Sequence, residues 1–292
     1  MRFCDLHTHS IFSDGTSTPE ELLTAATAAG LSAIALTDHN TIDGLPHFAA
    51  AAEGKNIDTV LGSEFSVNYE GKELHMLGLF ISPEYFSQIS ALMSDMLKIK
   101  EKSNIDLVEA LGRAGMPMDY DKIRSATPRG SVNRAHIASA MVQKGYVSSV
   151  AEAFATYLSP EAGYFKEPER IDVWKMIDVI HSIGAVSVLA HPFLKLNATE
   201  LVTFLPKAKQ AGLDGMECIY SLNNDATTRI SIELAERFGL LKSGGSDFHG
   251  QRKPDIKIGV GKGDLQVPHD WYLRLKEKAK ATSVMLQAEH SR

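Results

Sequence analysis

The chain has 292 residues, of which 44% are hydrophobic and 23% charged, and its formal net charge at pH 7 is −6. This is the composition of a folded globular protein, and the acidic balance excludes nucleic-acid binding through bulk positive charge. Two cysteines, Cys4 and Cys218, are too few for a disulfide framework or a zinc finger and fit a reducing compartment. With no apolar segment long enough to cross a bilayer and no leader pattern, the sequence predicts a cytoplasmic protein without membrane association.

The first motif is DLHTH at residues 5–9, with Asp14 shortly after it. The residues before the motif predict a short strand. Because side chains alternate along a strand, His7 and His9 point to the same side. Imidazole is the commonest neutral metal ligand, and Asp14 adds a charged oxygen. The motif alone also fits two exposed loop histidines that bind no metal. Whether it is a metal site therefore depends on ligand-type residues elsewhere in the chain.

Strands and helices alternate up to residue 82. The sequence predicts helices at 18–29 and 43–54 and strands at 33–37, 60–64 and 74–81. Thr18, Pro19 and Glu21 form a capping signature at the start of the first helix. This order is typical of an α/β protein with a parallel sheet. Ligand-type residues stand at or just after the first three strand ends, where barrels and open α/β sheets place their sites.

Helical periodicity dominates the middle of the chain. Helices are predicted at 89–114, 134–144 and 150–158, and strands are not evident between 83 and 167. We predict a helical insertion placed over the active site, after which the α/β alternation resumes. The predicted organisation is a first part of a barrel (1–82), the insertion (83–167), a second part of the barrel (168–268) and a peripheral C-terminal helix and tail (269–292).

Ten metal-binding or acid–base side chains gather at these predicted strand ends. They are His7, His9, Asp14, Asp38, His39, Glu64, His75, His191, Asp247 and His249. Six of the chain's 11 histidines belong to this set, more than scattered surface histidines would give. No metal role is expected for the helical or C-terminal His47, His181, His269 and His290. Mixed imidazole and carboxylate ligands without thiolate favour zinc, manganese or iron, and their number suits two or three divalent ions.

These motifs resemble the ordered motifs of the PHP (polymerase and histidinol phosphatase) family. The resemblance rests on residues 5–9, 37–39, Glu64, His75, 191–192 and 245–249, so it extends over nearly the whole chain. It implies a distorted (β/α)7 barrel that holds a trinuclear metal centre and hydrolyses phosphoesters with a metal-activated hydroxide.

The resemblance also implies ligand sets. One metal would be held by His7, His9, Glu64 and Asp247, a second by Glu64, His75 and His191, and a third by Asp14, His39 and His249. Asp38 would support a ligand or handle a proton. Either His191 or Asp38 would pass a proton to the leaving oxygen, and these two alternatives stay open.

Within the family, the chain most resembles the stand-alone bacterial phosphoesterases of the TrpH type. The segment around Arg134 and His136 resembles a substrate-binding segment of that group, which implies that both side chains contact a second phosphate. The sequence departs from the group at 193–195, where Phe-Leu-Lys replaces an expected Gly-Arg-Tyr. Lys195 would replace the missing arginine only as a point charge, with Arg129 or Lys166 as further candidates.

The predicted function is hydrolysis of a phosphomonoester of a nucleotide. The TrpH-type group contains nucleoside 3′,5′-bisphosphate phosphatases and a 5′-to-3′ exoribonuclease, so the expected substrates are AMP-like or bisphosphorylated nucleotides, or short RNA. One alternative is histidinol-phosphate phosphatase. An alternative of another class is a non-catalytic metal-binding or regulatory PHP module, in which decayed motifs would be expected. No stable protein partner is predicted, and a monomer is only the default.

Overall fold

The computed structural model describes residues 2–126 and 132–290, with residues 287–290 described through the backbone alone. The contacts divide the chain into two compact units. The first, called the barrel unit below, comprises residues 1–90 and 170–292, and the second, the helical unit, comprises Ala91–Glu169. The predicted boundaries at 82 and 168, and the placement of the insertion over the active site, stay predictions.

The described residues of the barrel unit form nine strands in one sheet. They are β1 Phe3–Asp5, β2 Ala33–Leu36, β3 Asp58–Tyr69, β4 Lys72–Leu79, β5 Ile171–Asp172, β6 Val186–Leu189, β7 Gly215–Tyr220, β8 Leu241–Gly245 and β9 Val267–Pro268. Their spatial order is β8-β7-β6-β4-β3-β2-β1-β9, and β5 pairs with β3. The pairs β1–β2, β2–β3, β6–β7 and β7–β8 are parallel.

The two ends of this sheet meet. The N–H of Leu6, just after β1, donates to the carbonyl of Gly244 in β8 at 3.1 Å. Beyond the strands, the N–H of Asp247 donates to the carbonyl of His7 at 2.9 Å, and the N–H of His9 to that of Phe248 at 3.0 Å. The sheet is therefore nearly closed, which confirms the predicted α/β barrel.

One part of the sheet differs from the prediction. β4 runs antiparallel to both of its neighbours, β3 and β6, so the expectation of a wholly parallel sheet is wrong here. The cause is a two-residue turn at Glu70 and Gly71, with φ angles of 49° and 82°. Left-handed residues at both positions match the twist of a tight hairpin, so the chain returns beside β3 without a crossover helix.

The helices of the barrel unit are α1 Pro19–Ala28, α2 Leu45–Ala52, α7 Val173–Ser182, α8 Ala198–Gln210, α9 Asp225–Arg237 and α10 His269–His290. The predicted capping signature is present: Glu21 N–H donates to Thr18 Oγ1, and the Glu21 carboxylate accepts the Thr18 N–H. Such a cap is worth about 1 kcal/mol. The first half of α10 is not peripheral, because Tyr272 and Leu275 are buried in the same core as the apolar residues of β1 and β6.

The helical unit has its own core. Its elements are most of α3 Phe86–Arg113, α4 Tyr120–Ser125, α5 Arg134–Gln143, α6 Val150–Ala153 and a π-helical turn at Phe154–Leu158. Buried Leu107, Leu111, Ile137, Met141 and Leu158 belong to one apolar cluster. Within its described residues, 91–126 and 132–169, no strand occurs, as expected from the sequence. None of the helices described, in either unit, is long and apolar enough to cross a membrane.

Candidate metal centre

Nine predicted ligands lie in the barrel unit at one end of the sheet. His7 and His9 follow β1, His39 follows β2, His191 follows β6, and Asp247 and His249 follow β8, with Asp14 in the loop after β1. Glu64 lies within β3 rather than at its end, and an isolated bridge pairs it with His39. His75 lies near the start of β4. Because β4 runs antiparallel and pairs Ser66 with His75, the start of β4 meets this same end.

The first group of side chains is fully buried or nearly so. Ligand atoms of His7, His9, Glu64 and Asp247 all lie within 4.8 Å of one another. Glu64 Oε2 is 3.1 Å from His7 Nε2 and 3.2 Å from His9 Nε2. Asp247 Oδ1 is 3.3 Å from His9 Nε2 and 3.7 Å from His7 Nε2. Two imidazoles and two carboxylates therefore converge on one volume, which is the arrangement around a bound divalent ion.

A second group forms around Asp14, whose side chain is one-third exposed. Asp14 Oδ1 is 3.2 Å from His249 Nε2 and 3.9 Å from both His39 Nε2 and His9 Nδ1. Ligand atoms of these four residues lie within 4.8 Å of one another. The structure thus brings together the predicted trio of Asp14, His39 and His249 and adds His9 to it.

A third group forms around the other oxygen of Glu64. Glu64 Oε1 is 2.7 Å from His75 Nδ1 and 2.8 Å from His191 Nε2. The ligand atoms of Glu64, His75 and His39 lie within 4.8 Å of one another. His191 contacts Glu64, as predicted, but does not belong to the group defined by this distance. Glu64, His9 and His39 are each shared by two of the three groups, so the groups are linked to one another.

Two site residues hold unfavourable backbone conformations. His191 has φ 25° and Asp247 has φ 55°, both in the left-handed region that non-glycine residues seldom adopt. Such conformations cost of order 1–3 kcal/mol each and persist where surrounding contacts enforce them. At His191 the enforcing contact is a 2.7 Å hydrogen bond from its own N–H to Glu217 Oε2. The local backbone strain coincides with the ligand cluster.

Glu217, a fully buried residue of β7, is missing from the sequence-based set. Its Oε1 lies 3.1 Å from His7 Nδ1, while its Oε2 accepts the N–H of His191. A carboxylate on the nitrogen opposite the ligating one fixes the orientation of a ligand histidine. The available signal was a single acidic residue inside the apolar strand sequence Gly-Met-Glu-Cys-Ile, because a charge is seldom buried without a partner.

Asp38 contacts serines rather than the ligand atoms. Its Oδ1 accepts hydrogen bonds from Ser10 N–H at 2.7 Å and Ser13 Oγ at 2.6 Å, and its Oδ2 accepts one from Ser10 Oγ at 2.6 Å. Three donors of this kind hold the loop that carries Asp14. These contacts favour the supporting role predicted for Asp38 over the proton-handling one, which stays a prediction.

The electrostatics of the cluster are dominated by its carboxylates. Burial alone would lower the pKa of His7, but the charges of Glu217 and Glu64 outweigh it and raise this pKa well above its usual range. In His9, the neighbouring carboxylates of Asp247 and Glu64 likewise outweigh burial and raise the pKa to about 9. The pKa of Glu64 is held well below its usual value, because the surrounding histidines outweigh the effect of burial.

The pKa of His39 is shifted in the opposite direction, below its usual value. Burial is the largest influence on its imidazole and, with repulsion from His9 and His75, lowers its pKa to about 3 despite the attraction of Glu64. A neutral imidazole is the form that binds a metal ion. The cluster therefore combines a histidine that is already neutral with others that must give up protons to a metal.

The residues present fit metal ions. His9 Nδ1 and Glu64 Oε2 are buried but have no hydrogen-bond partner among the described residues. Glu64 Oε2 nonetheless lies 3.1 Å from His39 Nδ1 and within 3.2 Å of two further imidazole nitrogens. Buried polar atoms without partners cost free energy unless a ligand satisfies them. Imidazole nitrogens around a carboxylate oxygen are the donor set of zinc, manganese or iron sites.

The predicted substrate-binding residues are divided between the two units. In the helical unit, Arg134 donates from Nη1 to the Leu158 carbonyl at 2.9 Å and lies over the ring of Phe165, with 4.2 Å to the centroid. His136 Nδ1 accepts the N–H of Asn133 in a capping box that starts α5. In the barrel unit, Lys195 is exposed. Their contacts with substrate stay predictions.

The roles of the two further candidates, Arg129 and Lys166, also stay predictions. Arg129 lies outside the described residues, and the backbone carbonyl of Lys166 accepts a hydrogen bond from Ser103 Oγ.

The PHP domain family matches residues 5–160. A 5′-3′ exoribonuclease of Haemophilus influenzae is 35% identical over 84% of this chain and 89% of its own. A 3′,5′-nucleoside bisphosphate phosphatase of Chromobacterium violaceum is 30% identical over 85% and 88% of the two chains. A phosphoribosyl 1,2-cyclic phosphate 1,2-diphosphodiesterase of Eggerthella lenta is 29% identical over 88% and 98%. The relatives thus act on different phosphate esters.

Among solved structures, one from Bifidobacterium adolescentis, described as a metal-dependent phosphoesterase, is similar with a TM-score of 0.77 and 27% identity, over 95% of this chain and 96% of that one. A Chromobacterium violaceum amidohydrolase with bound sulfate and no metal gives a TM-score of 0.78 and 26% identity, over 94% and 96%. With this similarity over most of its length, the chain belongs to the PHP-domain family and is a metal-dependent phosphoesterase, a hydrolase of phosphoric esters.

Proposed function

We propose that this phosphoesterase removes a phosphate from a nucleotide. The observation that carries the proposal is the convergence of nine histidine and carboxylate side chains in linked groups, in which buried His9 Nδ1 and Glu64 Oε2 have no hydrogen-bond partner among the described residues. The nucleotide part is supported by relatives named as an exoribonuclease and as a nucleoside bisphosphate phosphatase. The substrate is then a small phosphorylated nucleotide such as a 3′,5′-bisphosphonucleotide, or a short RNA.

Two or three divalent ions, of manganese, iron or zinc, are proposed as cofactors. The proposed ligands are His7, His9, Glu64 and Asp247 for one ion, Glu64, His75 and His191 for another, and Asp14, His39 and His249 for a third. When bound, such ions activate water for attack and stabilise the charge of phosphate oxygens. A trinuclear centre is favoured by the three groups of ligand atoms that surround Glu64 and Asp14.

The chain's own residues orient the metal ligands and donate a proton to the leaving oxygen. Glu217 orients His7 and the backbone of His191, and Asp38 holds the serines of the loop that carries Asp14. His191 is the better placed of the two proposed proton donors to the leaving oxygen, because both oxygens of the Asp38 carboxylate are already hydrogen-bonded to serines.

Substrate binding is assigned to cations outside the ligand cluster. Arg134 has a guanidinium that is held by a carbonyl and an aromatic ring, which lowers the entropy lost when it binds phosphate. His136 and exposed Lys195 complete the proposed set. A cytoplasmic location is also proposed, since Cys4 and Cys218 are both buried and free.

The test compares three substrates with added manganese: adenosine 3′,5′-bisphosphate, a short 5′-phosphorylated RNA, and histidinol phosphate. We expect release of the 3′-phosphate or stepwise release of nucleotides, lost in His9→Ala. The matched control is His269→Ala, because His269 bonds to Ser32 before β2, at the amino ends of the strands. Activity on histidinol phosphate alone would contradict the nucleotide proposal. So would the absence of hydrolysis of both nucleotide substrates when metal is bound.

A further inference from the structure

The two oxygens of the Asp247 carboxylate have different surroundings. Oδ1 faces imidazoles, 3.3 Å from His9 Nε2 and 3.4 Å from His249 Nδ1. Oδ2 is held by two donors from outside the ligand cluster, Lys253 Nζ at 2.6 Å and the Tyr220 hydroxyl at 2.9 Å. One oxygen is therefore available to a metal, while the other is occupied by an ammonium and a phenol.

Lys253 is fixed in this position by its loop. The Gln251 N–H, in the turn before it, donates to Thr16 Oγ1 at 2.8 Å, and Lys253 N–H donates to the Gly250 carbonyl at 3.1 Å. Further on, the N–H of Gly259 donates to the buried carboxylate of Asp5 at 2.8 Å. The loop is thus tied to the barrel on both sides of Lys253, whose side chain is only 35% exposed. A lysine on a free surface loop would not have its position fixed by such backbone hydrogen bonds.

Tyr220 is the second donor and comes from the end of β7. Its residue is 4% exposed, and its ring lies 5.3 Å from that of His191, centroid to centroid. The phenol therefore has its position set by the strand and by packing against a proposed ligand. Lys253 and Tyr220 approach Asp247 from different elements, so the rotation of the carboxylate is restrained from two directions.

We propose that Lys253, together with Tyr220, is a positioning residue that restricts Asp247 to a single ligating oxygen. The inference rests on the proposed function, in which Asp247 is a metal ligand. A catalytic metal needs an open coordination position for water or substrate, whereas a carboxylate that binds through both oxygens fills two positions. The ammonium therefore lowers the affinity for metal, by repulsion, in exchange for an open position.

If Lys253 has this role, its removal changes metal affinity in the direction opposite to that expected for a residue that only stabilises the fold. Removing Lys253 deletes a positive charge next to a cation site and frees Asp247 Oδ2, so Lys253→Met is expected to bind Mn²⁺ with equal or up to about tenfold higher affinity. Turnover is expected to fall at least about tenfold, with little change in KM, because the open position is lost. The double variant with Tyr220→Phe should show the largest effect, and Lys253→Arg should restore part of the turnover.

The decisive readout does not depend on catalysis. The metal-free full-length protein is loaded with Mn²⁺, and the water-proton relaxation rate per bound ion is measured, which reports exchangeable water on the metal. We expect a lower rate for Lys253→Met than for the wild type and for the control Lys257→Met, which alters an exposed lysine of the same loop. Mn²⁺ affinity is measured on the same samples by competition with a fluorescent chelator.

Two results would overturn the inference. One is an unchanged relaxation rate in Lys253→Met and in the double variant. The other is a joint loss of metal affinity, thermal stability and turnover, which is the pattern of structural support. If the wild type releases no phosphate from either nucleotide substrate, the proposed function fails, but relaxation and affinity still decide the role of Lys253.

Discussion

Glu64 links two of the three ligand groups through its two carboxylate oxygens. One of its oxygens contacts His75 and His191, and the other lies within 3.2 Å of nitrogens of His7 and His9. The histidine positions could be predicted because several histidines at or near strand ends are unusual unless they bind a metal ion. Glu217 could not be found in the same way, because its role depends on contacts with residues about 26 and 210 positions away in the chain.

The first prediction concerns Glu217. In Glu217→Gln the side chain keeps its shape but must turn an N–H toward either His7 or the N–H of His191, so one hydrogen bond is lost. We expect a loss of about 10–100-fold in metal affinity or turnover, and a loss of about 1–3 kcal/mol in the free energy of unfolding. Metal competition assays and urea unfolding measure the two effects. Wild-type values for both would contradict the assigned role.

The second prediction concerns the pH dependence of metal binding. In the metal-free protein the pKa of His9 is raised to about 9 and that of His75 to about 10, by hydrogen bonds and charges of neighbouring carboxylates that outweigh burial. These imidazoles are protonated at neutral pH and must release protons when a metal binds. Mn²⁺ affinity should therefore rise from pH 6 to pH 9. Calorimetry in buffers of different ionisation enthalpy counts the released protons, and none at pH 7 would contradict this.

At the scale of elements, the strands and helices that follow strong periodic patterns were predictable, and the hairpin was not. The predicted helices at 18–29 and 134–144 correspond to α1 and α5. The Glu70-Gly71 turn gave a weak signal because Glu is not a usual residue for a left-handed position, so β4 was assigned to the wrong direction. The core role of α10 was also missed, since its buried residues are few among many polar ones.

The hairpin makes a prediction about stability. Gly71 has φ 82°, and a Cβ there would meet no neighbouring atom, so Gly71→Ala tests the backbone conformation alone. We expect a loss of about 1–2 kcal/mol in the free energy of unfolding, measured with urea. The matched control is Glu70→Asn at the preceding left-handed position, where asparagine is tolerated better and no loss is expected. Equal stability of Gly71→Ala and wild type would contradict the assigned turn.

Asp214 ties several elements at the start of β7. Its Oδ2 lies 2.8 Å from His181 Nε2 of α7, and its Oδ1 lies 3.1 Å from Lys278 Nζ of α10. Burial alone would raise the pKa of Asp214, but the hydrogen bond and charge of His181, the N–H of Ser187 and the charge of Lys278 lower it. The folded-state pKa is below the unfolded value, so the stabilisation is present above about pH 4 and is lost as the pH falls through the folded-state pKa.

We therefore expect Asp214→Asn to lower the free energy of unfolding at pH 7 by about 1–3 kcal/mol. Its stability should also fall less steeply than that of the wild type below about pH 4. Urea unfolding from pH 7 down to pH 3 measures both effects. Parallel curves for the two proteins would show that Asp214 does not contribute to acid sensitivity.

At the scale of the whole molecule, family membership extends beyond the matched domain, because relatives align over more than four-fifths of the chain. The barrel and its ligands follow from ordered motifs, since most of the motifs follow the end of a strand and all of them meet at one end of the sheet. Substrate choice does not follow in this way. In the function proposed above, it depends on Arg134, His136 and Lys195 and on the departure from the TrpH-type pattern at 193–195.

The central claim is that these side chains hold the metals on which phosphoester hydrolysis depends. The most direct test is to titrate the chelator-treated protein with Mn²⁺ and follow phosphate release from adenosine 3′,5′-bisphosphate. We expect no release at first, then a rise that reaches its plateau at about two to three ions per chain, and almost no release by Asp247→Asn at any Mn²⁺ concentration tested. Full activity of the metal-free protein, or wild-type activity of Asp247→Asn, would contradict the claim.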